Sequence, residues 1–189
     1  MATKYLSGKH ARAKRMRVDT AKILKRYYFC ERALIISQAG WLAAIPSFEI
    51  KSELPRFFWQ DALTANALRE RVFELRYPSR LMEVGEDAPL IDLFAESINA
   101  PSPEAFVLGM ARVFAPAMLS GYQEYLDQAD QLADGPTLRF IGIAVQEKAQ
   151  QVALLNRFAR EMLLAAPEKA NDAESWVSTL NQRLFEVGG

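Results

Sequence analysis

Apolar residues recur every three or four positions along most of this chain, and nowhere do they alternate with polar ones at period two. An α-helix turns once per about 3.6 residues, so this spacing paints one helix face, whereas a half-buried strand requires strict alternation. No Asn-Gly hairpin signal and no internal repeat interrupts the pattern. The expected fold is all-α. At 189 residues the chain is long enough for one domain with a substantial core, since a chain of this size buries roughly 70% of its unfolded surface.

The helices can be placed from their punctuation. Asp19 or Thr20 caps a first helix carrying Ile23, Leu24, Tyr27, Leu34, Ile35 and Trp41, which ends before Pro46. Ser52, Glu53 and Pro55 open a second, with the seam Leu54, Phe58, Asp61, Ala65, Leu68, Val72 and Leu75, stopped at Tyr77-Pro78. Residues 80 to 100 read as loop around a short helix near Pro89 to Ile98, with Asp87 as its cap. Ser102-Pro103-Glu104 starts a third long helix reaching about Ala133, in which Pro116 predicts a kink because it lacks an amide donor and crowds the carbonyl four residues earlier. Asp134-Gly135-Pro136-Thr137 turns into a fourth helix with Leu138, Ile141, Val145, Val152, Leu155 and Met162, and a short fifth carries Trp176, Leu180, Leu184 and Val187.

Charge is uneven although the total is zero: residues 1 to 32 hold ten Lys or Arg against Asp19 and Glu31, and the remainder is correspondingly acidic. The expected organisation is a basic N-terminal extension, residues 1 to 18, ahead of a helical domain at 19 to 189. The extension reads as a solubilising segment lying over the acidic body, with nucleic-acid or acidic-protein binding as the alternative. No aromatic residue interleaves Lys9 to Arg17, so a base-stacking platform is disfavoured. No apolar run approaches the roughly 20 residues of a membrane span, and the N-terminus offers no secretory h-region. A soluble, cytoplasmic protein is expected. Structural zinc is disfavoured because Cys30 and His10 are the only Cys and His.

Four acids attract attention, since each of the four long helices places one on or beside its apolar stripe: Glu31, Asp61, Glu124 and Glu147. A carboxylate facing a bundle core is costly unless it is paired, metal-bound or protonated, so the set is a candidate site. Glycine-rich phosphate loops, nucleophile elbows and H-E-x-x-H are absent, and Cys30 reads as a buried, inert thiol. Tyr27, Tyr28, Tyr122, Tyr125, Trp41 and Trp59 read as core, with an aromatic or lipid-like ligand pocket as the alternative.

These four acids, the string Leu68-Arg69-Glu70-Arg71 leading to Glu74-Leu75-Arg76, and the Asp134 to Thr137 turn feeding the helix of Glu147 resemble the ferritin-like superfamily. The resemblance, over residues 20 to 165, implies a four-helix bundle with a crossover between helices 2 and 3. Di-iron members take one Glu from each of two helices and Glu-x-x-His from the other two. The corresponding positions here are Thr64 after Asp61 and Gln150 after Glu147, neither of them histidine. The resemblance therefore implies a member without a working di-iron centre and with no resident cofactor. Its expected role is a ligand- or partner-binding subunit, as a homo-oligomer or beside a related ferritin-like chain. In that reading Glu31, Asp61, Thr64, Glu124, Glu147 and Gln150 are vestigial metal or ligand positions. Two alternatives stay open: a metal-independent acid/base enzyme using Asp61 and Glu147 on a small substrate, and a carboxylate-only site for manganese or iron.

Overall fold

The computed structural model describes residues 17–75 and 82–187, and all regular structure among them is helical. The helices are α1 (Arg17–Trp41), α2 (Phe48–Glu74), α3 (Ala88–Ala95), α4 (Pro103–Gly109), α5 (Ala115–Gln128), α6 (Gly135–Ala165) and α7 (Ala170–Glu186). The five-residue π segment Met110–Phe114 joins α4 to α5 without a break, making one long helix. Residues 1 to 16, most of the basic extension with His10, and the Tyr77-Pro78 stop lie outside the described residues.

Helix α2 starts a turn earlier than its Ser52-Glu53-Pro55 sequence signal. Ser47 is the cap, its hydroxyl accepting from the amide of Ile50, and Pro55 is carried inside the helix. The apolar seam explains the earlier start, because Ile50 and Leu54 are both fully buried and extend it back by one turn. Ser102 behaves as its sequence predicts, accepting from the Ala105 amide. Asp87 makes no capping bond. Its buried carboxylate instead takes the guanidinium of Arg26 at 2.6 Å and the ammonium of Lys25 at 3.8 Å, which ties the 82–102 segment to α1.

Pro116 produces a π turn rather than a simple kink. The Ala115 amide reaches back five residues to the Met110 carbonyl, which widens the helix where the proline ring would crowd a carbonyl. The next donor in that register would be residue 116, which has no N–H, so the Ala111 carbonyl lacks a helical partner. Asn156 of α6 supplies one from its side-chain amide, which also donates to Val152 O.

Helices α1, α2, α4–α5 and α6 surround one apolar core containing Leu24, Leu34, Leu54, Leu68, Phe106, Phe114, Ile141 and Phe158, and α7 covers it against α4. Residues Pro103–Gln128 are long and apolar enough, by composition, to cross a bilayer, but 67% of that most apolar window is buried against the other helices. That is the burial pattern of a core helix.

Candidate functional site

The buried faces of α1, α2, α5 and α6 converge on a polar cluster inside the core. Glu31 comes from α1, Asp61 from α2, Tyr122 from α5 and Lys148 from α6, and none is more than 2% exposed. The Lys148 ammonium stands between the two acids, donating to Asp61 Oδ1 at 2.6 Å and to Glu31 Oε2 at 3.0 Å. Tyr122 Oη donates to Glu31 Oε1 at 2.6 Å. Asp61 also accepts from Gln151 Nε2 on Oδ1 (3.0 Å) and from Gln38 Nε2 on Oδ2 (2.8 Å). Gln151 reaches Gln60 Oε1 as well, at 3.2 Å. Among the described residues only Gln38 Oε1 is a buried side-chain atom left without a hydrogen-bond partner.

Burial of this depth sets the protonation states. Desolvation, and next the charge of Asp61, push the Glu31 carboxyl up from 4.5 to about 7, outweighing the pull of Lys148 and the Tyr122 hydrogen bond. Desolvation works against the charged form of Lys148 too, but Asp61 and Glu31 overcome it and raise its pKa. Tyr122 is raised well above its ordinary value by burial and by Glu31, so it stays a donor. With its carboxyl raised to about 7, Glu31 exchanges its proton near neutral pH, while the raised Lys148 stays an ammonium. Burial also raises the neighbouring Cys30 thiol far out of the reactive range.

Of the six residues predicted from sequence, Glu31 and Asp61 enter the cluster. Thr64 is buried one turn beyond Asp61. Glu147 lies at the edge, half-buried, its carboxyl raised by partial desolvation and then by Asp61. Glu124 and Gln150 are exposed, and Glu124 accepts from Gln128 one turn along its own helix. Glu124 misses the core because the π segment inserts extra backbone: a seam extrapolated from Val113 through Ala117 is rotated beyond it, and the buried row becomes Ala115, Met118, Tyr122 and Tyr125. The sequence carries a signal for Lys148 as well. Ile141, Ala144, Lys148, Gln151, Leu155, Phe158 and Met162 are all buried at strict three- and four-residue steps. Glu147, one residue earlier, sits about 100° around the helix from that row.

A divalent cation in this position would have to displace the Lys148 ammonium. Among the described residues no three His, Cys, Asp or Glu side chains are grouped to hold a metal ion, so the residues present do not fit the di-iron centre that the ferritin-like resemblance implies. The four side chains of the cluster are themselves almost wholly screened from solvent. A cleft of about 600 Å³ between α5, α6 and α7 is lined by Arg112, Pro116, Asn156, Glu174 and Asn181. Another, of about 410 Å³, lies at Pro46, Ile50, Glu104 and Met162. Neither reaches Glu31, Asp61 or Lys148. Among the aromatic residues, Tyr27 meets Tyr122 edge-on at 5.2 Å and Trp41 stacks on Phe106 at 5.3 Å, whereas Trp59, expected in the core, lies exposed on α2.

Fold and site together define an all-α protein closed around a buried lysine that bridges two carboxyl groups. No protein-family model, curated protein or solved structure matches this chain.

Proposed function

We propose that this chain is a ferritin-like bundle without a di-metal centre, in which the Lys148 ammonium supplies the positive charge between the inward carboxyl groups, and that it serves as a partner-binding subunit rather than as an enzyme. The position of Lys148 Nζ, within 3.0 Å of both Glu31 and Asp61, carries this reading. A fixed ammonium satisfies the electrostatic demand of two core acids that a cation would otherwise meet.

Helix directions support the bundle topology. Arg71 late in α2 reaches Thr137 at the start of α6, while Glu49 early in α2 pairs with Arg157 far along α6, so these two helices run antiparallel. Trp41 late in α1 stacks on Phe106 of α4, and Tyr27 early in α1 donates to the Gly121 carbonyl of α5, so α1 opposes the α4–α5 helix. Helix α2 then points the same way as α4–α5, the relation that a crossover between them requires. The acid/base alternative at Asp61 and Glu147 needs a substrate cavity lined by these groups, and the clefts described above lie elsewhere.

A partner role draws support from the outer face of α2, where Trp59 and Leu63 stand one turn apart and more than half exposed. Two measurements test the proposal. Plasma mass spectrometry on protein purified without chelator, before and after incubation with ferrous iron or manganese, is expected to find no stoichiometric metal. Metal bound at one or more equivalents and lost in a Glu31→Ala, Glu147→Ala double variant would overturn the metal-free assignment. Light scattering is expected to give a mass above that of one chain, reduced by Trp59→Asp; a monomer at every concentration would refute self-association.

A further inference from the structure

We propose that Lys148 and Asp61 condense into an intramolecular isopeptide bond, with Glu31 relaying the proton, so that α2 and α6 become covalently joined through the core. The inference rests on the buried cluster described above and concerns what that cluster does chemically.

Four observations point the same way. The nucleophile and the acid are in contact, with Lys148 Nζ 2.6 Å from Asp61 Oδ1, and both belong to helices held by a packed core, so the encounter is already arranged. The two oxygens of Asp61 are treated differently. Oδ2 accepts from the Gln38 amide, as an oxygen that will remain a carbonyl should. Oδ1 faces two donors, Lys148 and Gln151, as a departing oxygen should. A second carboxyl group, Glu31, touches the same Nζ and is itself held in place by Tyr122. Finally, Gln38 Oε1, buried and without a partner, offers an acceptor for a released water.

The step balances without any further reactant. Lys148 passes one proton to Asp61 Oδ1, turning the ion pair into a neutral amine and a carboxylic acid. The amine lone pair attacks Asp61 Cγ; the C–N bond forms, the C–Oδ1 bond breaks, and Glu31 exchanges one proton, giving its own to the leaving oxygen and taking the second from Nζ, so that it is restored. One ammonium and one carboxylate give one amide and one water. In bulk water at neutral pH the ionised pair is favoured because both charges are solvated. Inside this core that solvation is lost, and replacing two buried charges by one hydrogen-bonded amide removes their desolvation penalty.

The test is intact-mass spectrometry of the denatured full chain, as purified and after days at neutral pH, with fragmentation of proteolytic peptides. A species lighter by one water is expected, together with a branched peptide joining the segment around Asp61 to that around Lys148. Lys148→Arg should abolish it, and Glu31→Gln should slow its formation by about a hundredfold or more, in the range of a lost general acid–base group. Full mass with both segments recovered as separate, unmodified peptides would overturn the proposal, as would a water loss located elsewhere, such as a succinimide within one segment. The wild-type measurement decides whether or not the variants fold. An uncross-linked chain that also lacks metal would sink the isopeptide alone and leave the reading of the bundle standing.

Discussion

Replacing Lys148 by methionine keeps most of the side-chain volume and removes the charge that stands between Glu31 and Asp61, with the hydrogen bonds it donates to them. Removing one partner of a buried charged network costs about 3–5 kcal/mol, because the remaining charge is left uncompensated. Lys148 has the burial for the full effect, with 3% of its side chain exposed and both acids essentially inaccessible. At pH 8 the variant holds two acids with no cation, and the loss should fall in that range, equivalent to about 6–20 °C in Tm for a chain of this size. At pH 5, Glu31 holds its proton in either form and no longer needs the ammonium, and Gln38 and Gln151 still donate to Asp61. The deficit should therefore shrink to about half. Adding Asp61→Asn to Lys148→Met should recover most of the loss at pH 5, where Glu31 is protonated and the cycle ends in a neutral cluster. The assay is urea unfolding at the two pH values, referenced to wild-type protein that intact mass shows to be uncross-linked. A deficit below about 1 kcal/mol, equal at both pH values, would mean that the ammonium does not compensate these acids, and the account of the site would fail.

Three further outcomes follow from the same geometry. Glu31 is an acid raised in the folded state, so the native protein binds the extra proton between pH 4.5 and about 7; its contribution is complete below 4.5 and is lost as pH rises through 7. Wild-type unfolding free energy should decline across that window, and Glu31→Gln should flatten the decline; an unchanged slope in the variant would assign it to other groups. Tyr122→Phe deletes the hydroxyl that donates to Glu31 at 2.6 Å in a fully buried position and should cost about 1–3 kcal/mol by denaturant unfolding, with a cost near zero refuting that bond. Asn156→Ala strands the Ala111 carbonyl and should cost about 1–2 kcal/mol, and much of this should vanish in a Pro116→Ala background, where residue 116 regains an N–H. Strict additivity of the two substitutions would break the proposed link between the proline and the asparagine.

Some of the site was legible in the residues. Glu31 and Asp61 were found because each interrupts an apolar row on an otherwise regular helix, and both are buried. Glu124 and Lys148 show how the same method fails. The first was lost to the π segment, since a helical wheel assumes constant pitch and Pro116 changes it locally. The second is hard to see because a lysine can carry its charge out to water from an apolar row; the two acids arriving from α1 and α2 make its burial tolerable. Asp87 stands where a cap for the helix beside it belongs, whereas its partners are Arg26 and Lys25, about sixty positions earlier in the chain.

Helical spacing, the Ser102-Pro103 start and the presence of acids on apolar faces are local properties, determined within one or two turns, and the sequence alone determined them. Which charges meet is not local. Glu31 and Lys148 lie 117 residues apart, and the bond between them depends on how four helices are oriented and rotated when their apolar faces are buried together. A rotation of one residue, about 100°, exchanges Lys148 for Glu147 and turns a compensated cluster into three facing acids. That choice is made by packing across the whole core, and only the tertiary structure decides it.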